Sequence, residues 1–88
     1  MRILKFYADW CQPCKALSAT IEKYYTGDVP IENINIDNDR DTALTYGIRS
    51  VPTCILLDEN NTELRRKGGM MMIDEFEKFI KGELYTYY

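Results

Sequence analysis

The apolar residues of this chain fall alternately into short strand-like runs and into helical spacing, and a chain patterned this way builds a sheet with helices packed on its faces. Ile3 to Tyr7 is short, apolar and aromatic, interrupted only by Lys5, and reads as a buried strand. From Pro13 to about Tyr25, the residues Ala16, Leu17, Ile21, Tyr24 and Tyr25 recur at helical spacing, and Thr26-Gly27-Asp28 supplies a stop. Ile31 to Ile36 returns as a strand with one irregular step, and Asp37 to Tyr46 reads as a short helix ended by Gly47. Thr53 to Leu57 is a third strand. Asp58 to Asn61 is a turn, and Thr62 to Lys67 is a more polar strand that pairs back as an antiparallel hairpin. Gly68-Gly69 breaks it, and Ile73, Phe76, Phe79, Ile80 and Leu84 mark a last helix with one apolar side.

The order β-α-β-α-β-β-α predicts an α/β fold: a four-stranded mixed sheet with three helices, whose first two strands are joined by a right-handed parallel crossover. With 88 residues and no linker or repeat, the elements share one core, so residues 1–88 are expected to form a single domain. The tail from Glu83 to Tyr88 is expected to be a fraying helix end with its tyrosines on the surface.

Composition removes several functions. Fourteen acidic residues against 11 basic ones argue against a surface that tracks phosphates, so nucleic acid is not an expected partner. The absence of histidine removes Ser-His-Asp and Cys-His catalysis and the commonest zinc ligand. No run of about 18 apolar residues is present to span a bilayer, and Met1 to Tyr7 lacks the apolar core of a signal peptide. Three cysteines cannot all pair within one chain, which fits a reducing compartment; a cytoplasmic, monomeric protein with no membrane association is expected.

Chemistry is concentrated in Cys11-Gln12-Pro13-Cys14. A closed zinc site wants four thiolate or imidazole donors, and beyond the pair this chain offers only Cys54, so no metal is expected. A structural disulfide closing so small a loop contributes only about 2 kcal/mol in the chain-entropy view before strain is subtracted. The spacing serves reversible exchange better, because two sulfurs three residues apart at a helix start can attack and resolve without moving the fold. Cys11, at the helix N-terminus, faces unpaired N–H groups and the positive end of the macrodipole and is the expected nucleophile; Cys14, one turn in, resolves. Pro13 loses no hydrogen bond in the first turn and stiffens the segment.

The segment Phe6-Tyr7-Ala8-Asp9-Trp10-Cys11-Gln12-Pro13-Cys14-Lys15 resembles the active-site segment of the thioredoxins. Asn35-Ile36-Asp37, Tyr46 to Thr53 and Lys67-Gly68-Gly69 are similar to thioredoxin segments in the same order, so the resemblance covers nearly the whole chain. It implies a thioredoxin-like fold in a short form, without the strand and helix that precede the cysteines in larger thioredoxins, leaving one sheet edge barer. It implies a protein disulfide reductase whose only redox group is the Cys11–Cys14 pair, with protein disulfides as substrates and a thioredoxin reductase-like electron donor. It implies that Pro52 is cis beside the cysteines, and that Trp10, Gln12, Pro13, Val51, Pro52 and Gly69 meet the substrate. A glutathione-dependent, glutaredoxin-like reductase and a non-catalytic binding module of a larger enzyme are the alternatives.

The sequence leaves the family pattern most clearly at Lys5, which aligns with a buried aspartate of the thioredoxins, while Asn33 aligns with that aspartate's lysine partner. Lys5 could modulate the cysteines as a cation beneath them. The expectation is instead that its stem packs and its ammonium snorkels to solvent. Cys54 is expected to be a buried, unreactive thiol, and Met70-Met71-Met72 to divide between core filling and an apolar rim.

Overall fold

The computed structural model describes residues 1–82. Its elements run β1 (Arg2–Tyr7), α1 (Gln12–Tyr24), β2 (Ile31–Asn35), α2 (Arg40–Thr45), β3 (Thr53–Leu57), β4 (Glu63–Gly68) and α3 (Ile73–Lys81). The sheet order is β2-β1-β3-β4, with β1 parallel to β2 and antiparallel to β3, and β3 antiparallel to β4. The four-stranded mixed sheet and three helices are those expected from the pattern.

The centre of the sheet is apolar on both faces. All five residues of β3 are buried, as are the inner four of β1, which is what continuous rather than alternating apolar runs produce. One face gathers Ile3, Cys54 and Leu56 against Leu17 and Ile21 of α1 and Phe76 and Phe79 of α3. The other gathers Leu4, Phe6, Ile34, Ile55 and Leu57 with Ala43, Tyr46 and Ile48, toward α2. Phe76 and Phe79 are three apart, so both side chains fall on one side of α3, and full burial of each is worth up to about 3 kcal/mol. Arg65 of β4 donates to the carbonyl oxygens of Phe79 (3.0 Å) and Ile80 (3.3 Å), satisfying the end of that helix.

Most element ends fall within a residue or so of the expected ones, and the differences at α1, α2 and β4 arise where a polar or aromatic side chain has a better use outside the element. α1 ends before Tyr25, whose ring packs edge-on to Phe76 with centroids 5.3 Å apart, and whose hydroxyl bonds the backbone N (3.0 Å) and O (3.2 Å) of Val29. α2 begins at Arg40 rather than Asp37. Asn35 accepts from the N–H of Asp37 (2.9 Å) and Asp39 caps the helix through the N–H of Thr42 (3.2 Å), so short Asx side chains hold a turn in place of the first helical turn. β4 begins one residue late, because Thr62 N–H bonds Asp58 Oδ1 (3.0 Å) within the turn, and it extends to Gly68, which pairs with Thr53. The break in β4 therefore falls at Gly69. The expectation for Glu83 to Tyr88 lies outside the described residues.

Candidate active site

The cysteine pair sits where β1 hands over to α1. Cys11 is the N-cap of α1 in extended conformation, and its Sγ accepts from the backbone N–H of Cys14 at 3.2 Å. A helix start leaves its first N–H groups without partners, and here a sulfur takes the place of the oxygen that usually caps them. Gln12 and Pro13 occupy the first two helical positions, exposed to solvent. The two sulfurs are joined in a disulfide with Cα atoms 5.3 Å apart. Both cysteines are nearly covered, at 4% and 3% exposure, and they pack with Ala8, Tyr7, Ile36 and Val51.

The segment before β3 closes over the pair. The Val51–Pro52 bond is cis, as the resemblance implied, and the carbonyl oxygen of Val51 lies 3.6 Å from Cys11 Sγ. Pro52 is buried, and its carbonyl accepts from the N–H of Gly69 at 2.8 Å. That bond draws the end of β4 against the cis-proline turn, and it requires Gly69 at φ 92°, a left-handed conformation that side chains resist. Cys11, Val51, Pro52 and Gly69 thus come together through one sulfur contact and one backbone bond.

Trp10, next to Cys11, is 67% exposed, and its Nε1 donates to Asp37 Oδ2 at 3.0 Å. A large ring held in solvent by its polar edge offers a partner its apolar face without the loss of side-chain freedom on binding. Sequence reasoning missed Asp37 as the anchor. The residue was visible in Asn35-Ile36-Asp37, but nothing local indicates that its side chain reaches across to position 10.

Lys5 is not where it was expected. The residue is 5% exposed, its ammonium donates to Ser18 Oγ on α1, and it lies in register between Asn33 on β2 and Cys54 on β3. The stem does not lead to solvent, because β1 is the second strand of four and this face is covered by α1; Ser18 supplies the acceptor that makes burial tolerable. Desolvation nevertheless holds the Lys5 pKa below the usual lysine value of 10.5, opposed by attraction to Cys54 and Glu22. Cys54 is fully buried, and burial pushes its thiol from 9.0 up to about 12 against the pull of Lys5. It is therefore a protonated, inert thiol at neutral pH. In the run Met70-Met71-Met72, Met71 is core, Met70 packs partly against it, and Met72 is exposed at the start of α3.

Among the described residues, no group of three or more Cys, Asp or Glu side chains is gathered to hold a metal, and no helix is long and apolar enough to cross a membrane.

The thioredoxin family model matches residues 1–82. The chain belongs to the thioredoxin family. It is 31% identical to the thioredoxin of Pseudomonas aeruginosa over 71 residues, which are 77% of this chain and 66% of that protein. It is 37% identical to the thioredoxin of Buchnera aphidicola over 81 residues, 89% of this chain and 74% of that one. The chain thus spans about two thirds to three quarters of the length of these two curated relatives. Among solved structures, it is similar to thioredoxin-2, described as a component of malaria parasite protein secretion machinery, with a TM-score of 0.81, 31% identity, and coverage of 91% of this chain and 80% of that one. It is also similar to a mutant thioredoxin from Halobacterium salinarum, with a TM-score of 0.82, 28% identity, and coverage of 98% of this chain and 76% of that one.

Proposed function

We propose that this chain is a thiol–disulfide oxidoreductase that reduces disulfides of other proteins by dithiol exchange. The observation that carries the reading is the cap of α1: Cys11 Sγ accepts from the Cys14 N–H at 3.2 Å and is bonded to the Cys14 sulfur. The same N–H and the helix dipole favour a thiolate on Cys11 when the pair is reduced.

The Cys11 thiolate attacks one sulfur of a substrate disulfide. A Cys11–substrate disulfide forms, and the first substrate sulfur leaves with the electron pair and takes up a proton. Cys14 then loses its proton and attacks Cys11 Sγ, the second substrate sulfur leaves and is protonated, and the Cys11–Cys14 disulfide remains. The substrate gains two electrons and two protons. The pair itself carries the electrons, so the exchange needs no metal or organic cofactor, and a reductase of the thioredoxin reductase class returns the dithiol. Substrate chain would lie along Trp10, Gln12, Pro13, Val51, Pro52 and Gly69, with the exposed indole as the apolar contact. The protein works as a monomer in a reducing, cytoplasmic setting, which suits a chain holding the free thiol of Cys54.

Insulin reduction tests this, with electrons supplied by thioredoxin reductase and NADPH or by glutathione. Turnover with the reductase is expected, and loss of turnover in Cys11→Ser. Turnover with glutathione alone would assign the chain to the glutaredoxin-like alternative, and no turnover with either would remove the activity.

A further inference from the structure

Lys5 is the one buried charged side chain among the described residues, and the exchange chemistry above gives it no part. Its ammonium has one hydrogen-bond acceptor, Ser18 Oγ, and Ser18 lies one helical turn beyond Cys14. Residues four apart on a helix have Cβ atoms about 5–6 Å apart, so Cys14 and Ser18 share one face of α1. The two also line one open cavity of about 300 Å³, together with Ala8, Asp9, Lys15 and Glu22. That volume holds several waters, each of which takes about 30 Å³ in the liquid. A donated N–H from Lys5 occupies a lone pair of Ser18 Oγ and leaves the hydroxyl hydrogen free to point elsewhere.

We propose that Lys5 is a positioning residue for Cys14: by bonding Ser18 Oγ, its ammonium turns the serine hydroxyl hydrogen into the cavity that Cys14 lines, where that hydrogen and the charge behind it hold the resolving sulfur as a thiolate. The proposal rests on the dithiol-exchange reading, because only there does Cys14 act as a nucleophile. In the step concerned, the Cys14 proton leaves through the cavity to solvent. Its thiolate forms the bond to Cys11 Sγ, and the substrate sulfur leaves with the electron pair of the broken bond and is protonated by solvent. The lysine itself transfers nothing.

Other charges act on the same place. Asp9 and Glu22 border the cavity and oppose a thiolate, Lys15 favours one, the phenol of Tyr7 from β1 lines the cavity as well, and Cys54 from β3 faces Lys5 but stays protonated. None of them changes when Lys5 or Ser18 is replaced, so comparison within one background isolates the pair.

The test uses the whole chain carrying Cys11→Ser, with carboxamidomethylation of Cys14 followed by mass against pH. Lys5→Met is expected to slow the reaction about tenfold at neutral pH and to move its profile to higher pH, the effect of removing an opposite charge at close range. Ser18→Ala, on a partly exposed helical position that tolerates alanine, is expected to act in the same direction by about fivefold, and Ser18→Thr to stay near the parent because the hydroxyl is kept. A profile unmoved by Ser18→Ala, as follows if the hydroxyl donates to its own helix carbonyl, overturns the proposal, as does a shift to lower pH in Lys5→Met. Insulin reduction by the parent protein, measured alongside, separates the two readings: its failure removes the activity without altering the Cys14 profiles.

Discussion

Cys54 provides a test of the core that does not depend on the redox pair. Its thiol is fully buried between β1 and β4, and desolvation moves its pKa from 9.0 to about 12, overriding the attraction of Lys5. In the unfolded chain it ionises near 9.0, so above that pH the unfolded state binds fewer protons than the native state, and stability falls as pH rises. The loss is complete only above the folded value. The interval from 9.0 to about 12 is three decades of proton activity, about 4 kcal/mol in all, of which about 2 kcal/mol is reached by about pH 10.5. Urea unfolding of a Cys11→Ser/Cys14→Ser protein, with and without Cys54→Ala, measures this at neutral pH and at about pH 10.5. The alanine lowers stability at neutral pH through lost packing, a constant offset. Between the two pH values, the parent should lose about 2 kcal/mol more than the alanine variant. Parallel losses would show that Cys54 ionises as easily folded as unfolded, and that the interior around it is wetter than its burial indicates.

Lys5 gives a limb of opposite sign. Its folded pKa lies below 10.5, so the native state bears the desolvation penalty wherever both states are charged, and stability recovers as pH rises through the folded value. Lys5→Met should raise the urea midpoint at neutral pH by an amount worth about 1 kcal/mol and abolish that recovery. Asp37→Ala removes the anchor of the only tryptophan, and indole fluorescence anisotropy should fall while stability changes by less than about 0.5 kcal/mol. Phe79→Ala empties a fully buried site between α3 and the sheet and should cost about 3–5 kcal/mol by urea unfolding.

The parts legible in the sequence were those set by periodicity and by covalent spacing. Continuous apolar runs located β1 and β3, the spacing of Phe76 and Phe79 oriented α3, and the strand before Cys11 with the helical pattern after it placed the pair at a helix start. Less legible were features decided by contacts between distant positions. Tyr25 leaves α1 for Phe76 and Val29, and Asp37 leaves α2 for Trp10, and neither pairing has a local signal. Lys5 was misplaced for the same reason. Its snorkelling depended on an open route to solvent, and the serine that receives its ammonium is 13 residues away, on a helix whose inward face was known only for its apolar members. The cis bond before Pro52 entered through family resemblance, since the residues themselves do not specify it.

The exchange mechanism is tested most directly by trapping its intermediate. The reduced protein carrying Cys14→Ser, mixed with an oxidised protein substrate, should accumulate a covalent adduct through Cys11, visible by non-reducing electrophoresis and released by a small thiol, whereas Cys11→Ser should form none. Trapping by Cys11→Ser instead, with the adduct on Cys14, would contradict the assignment of Cys11 as the attacking sulfur.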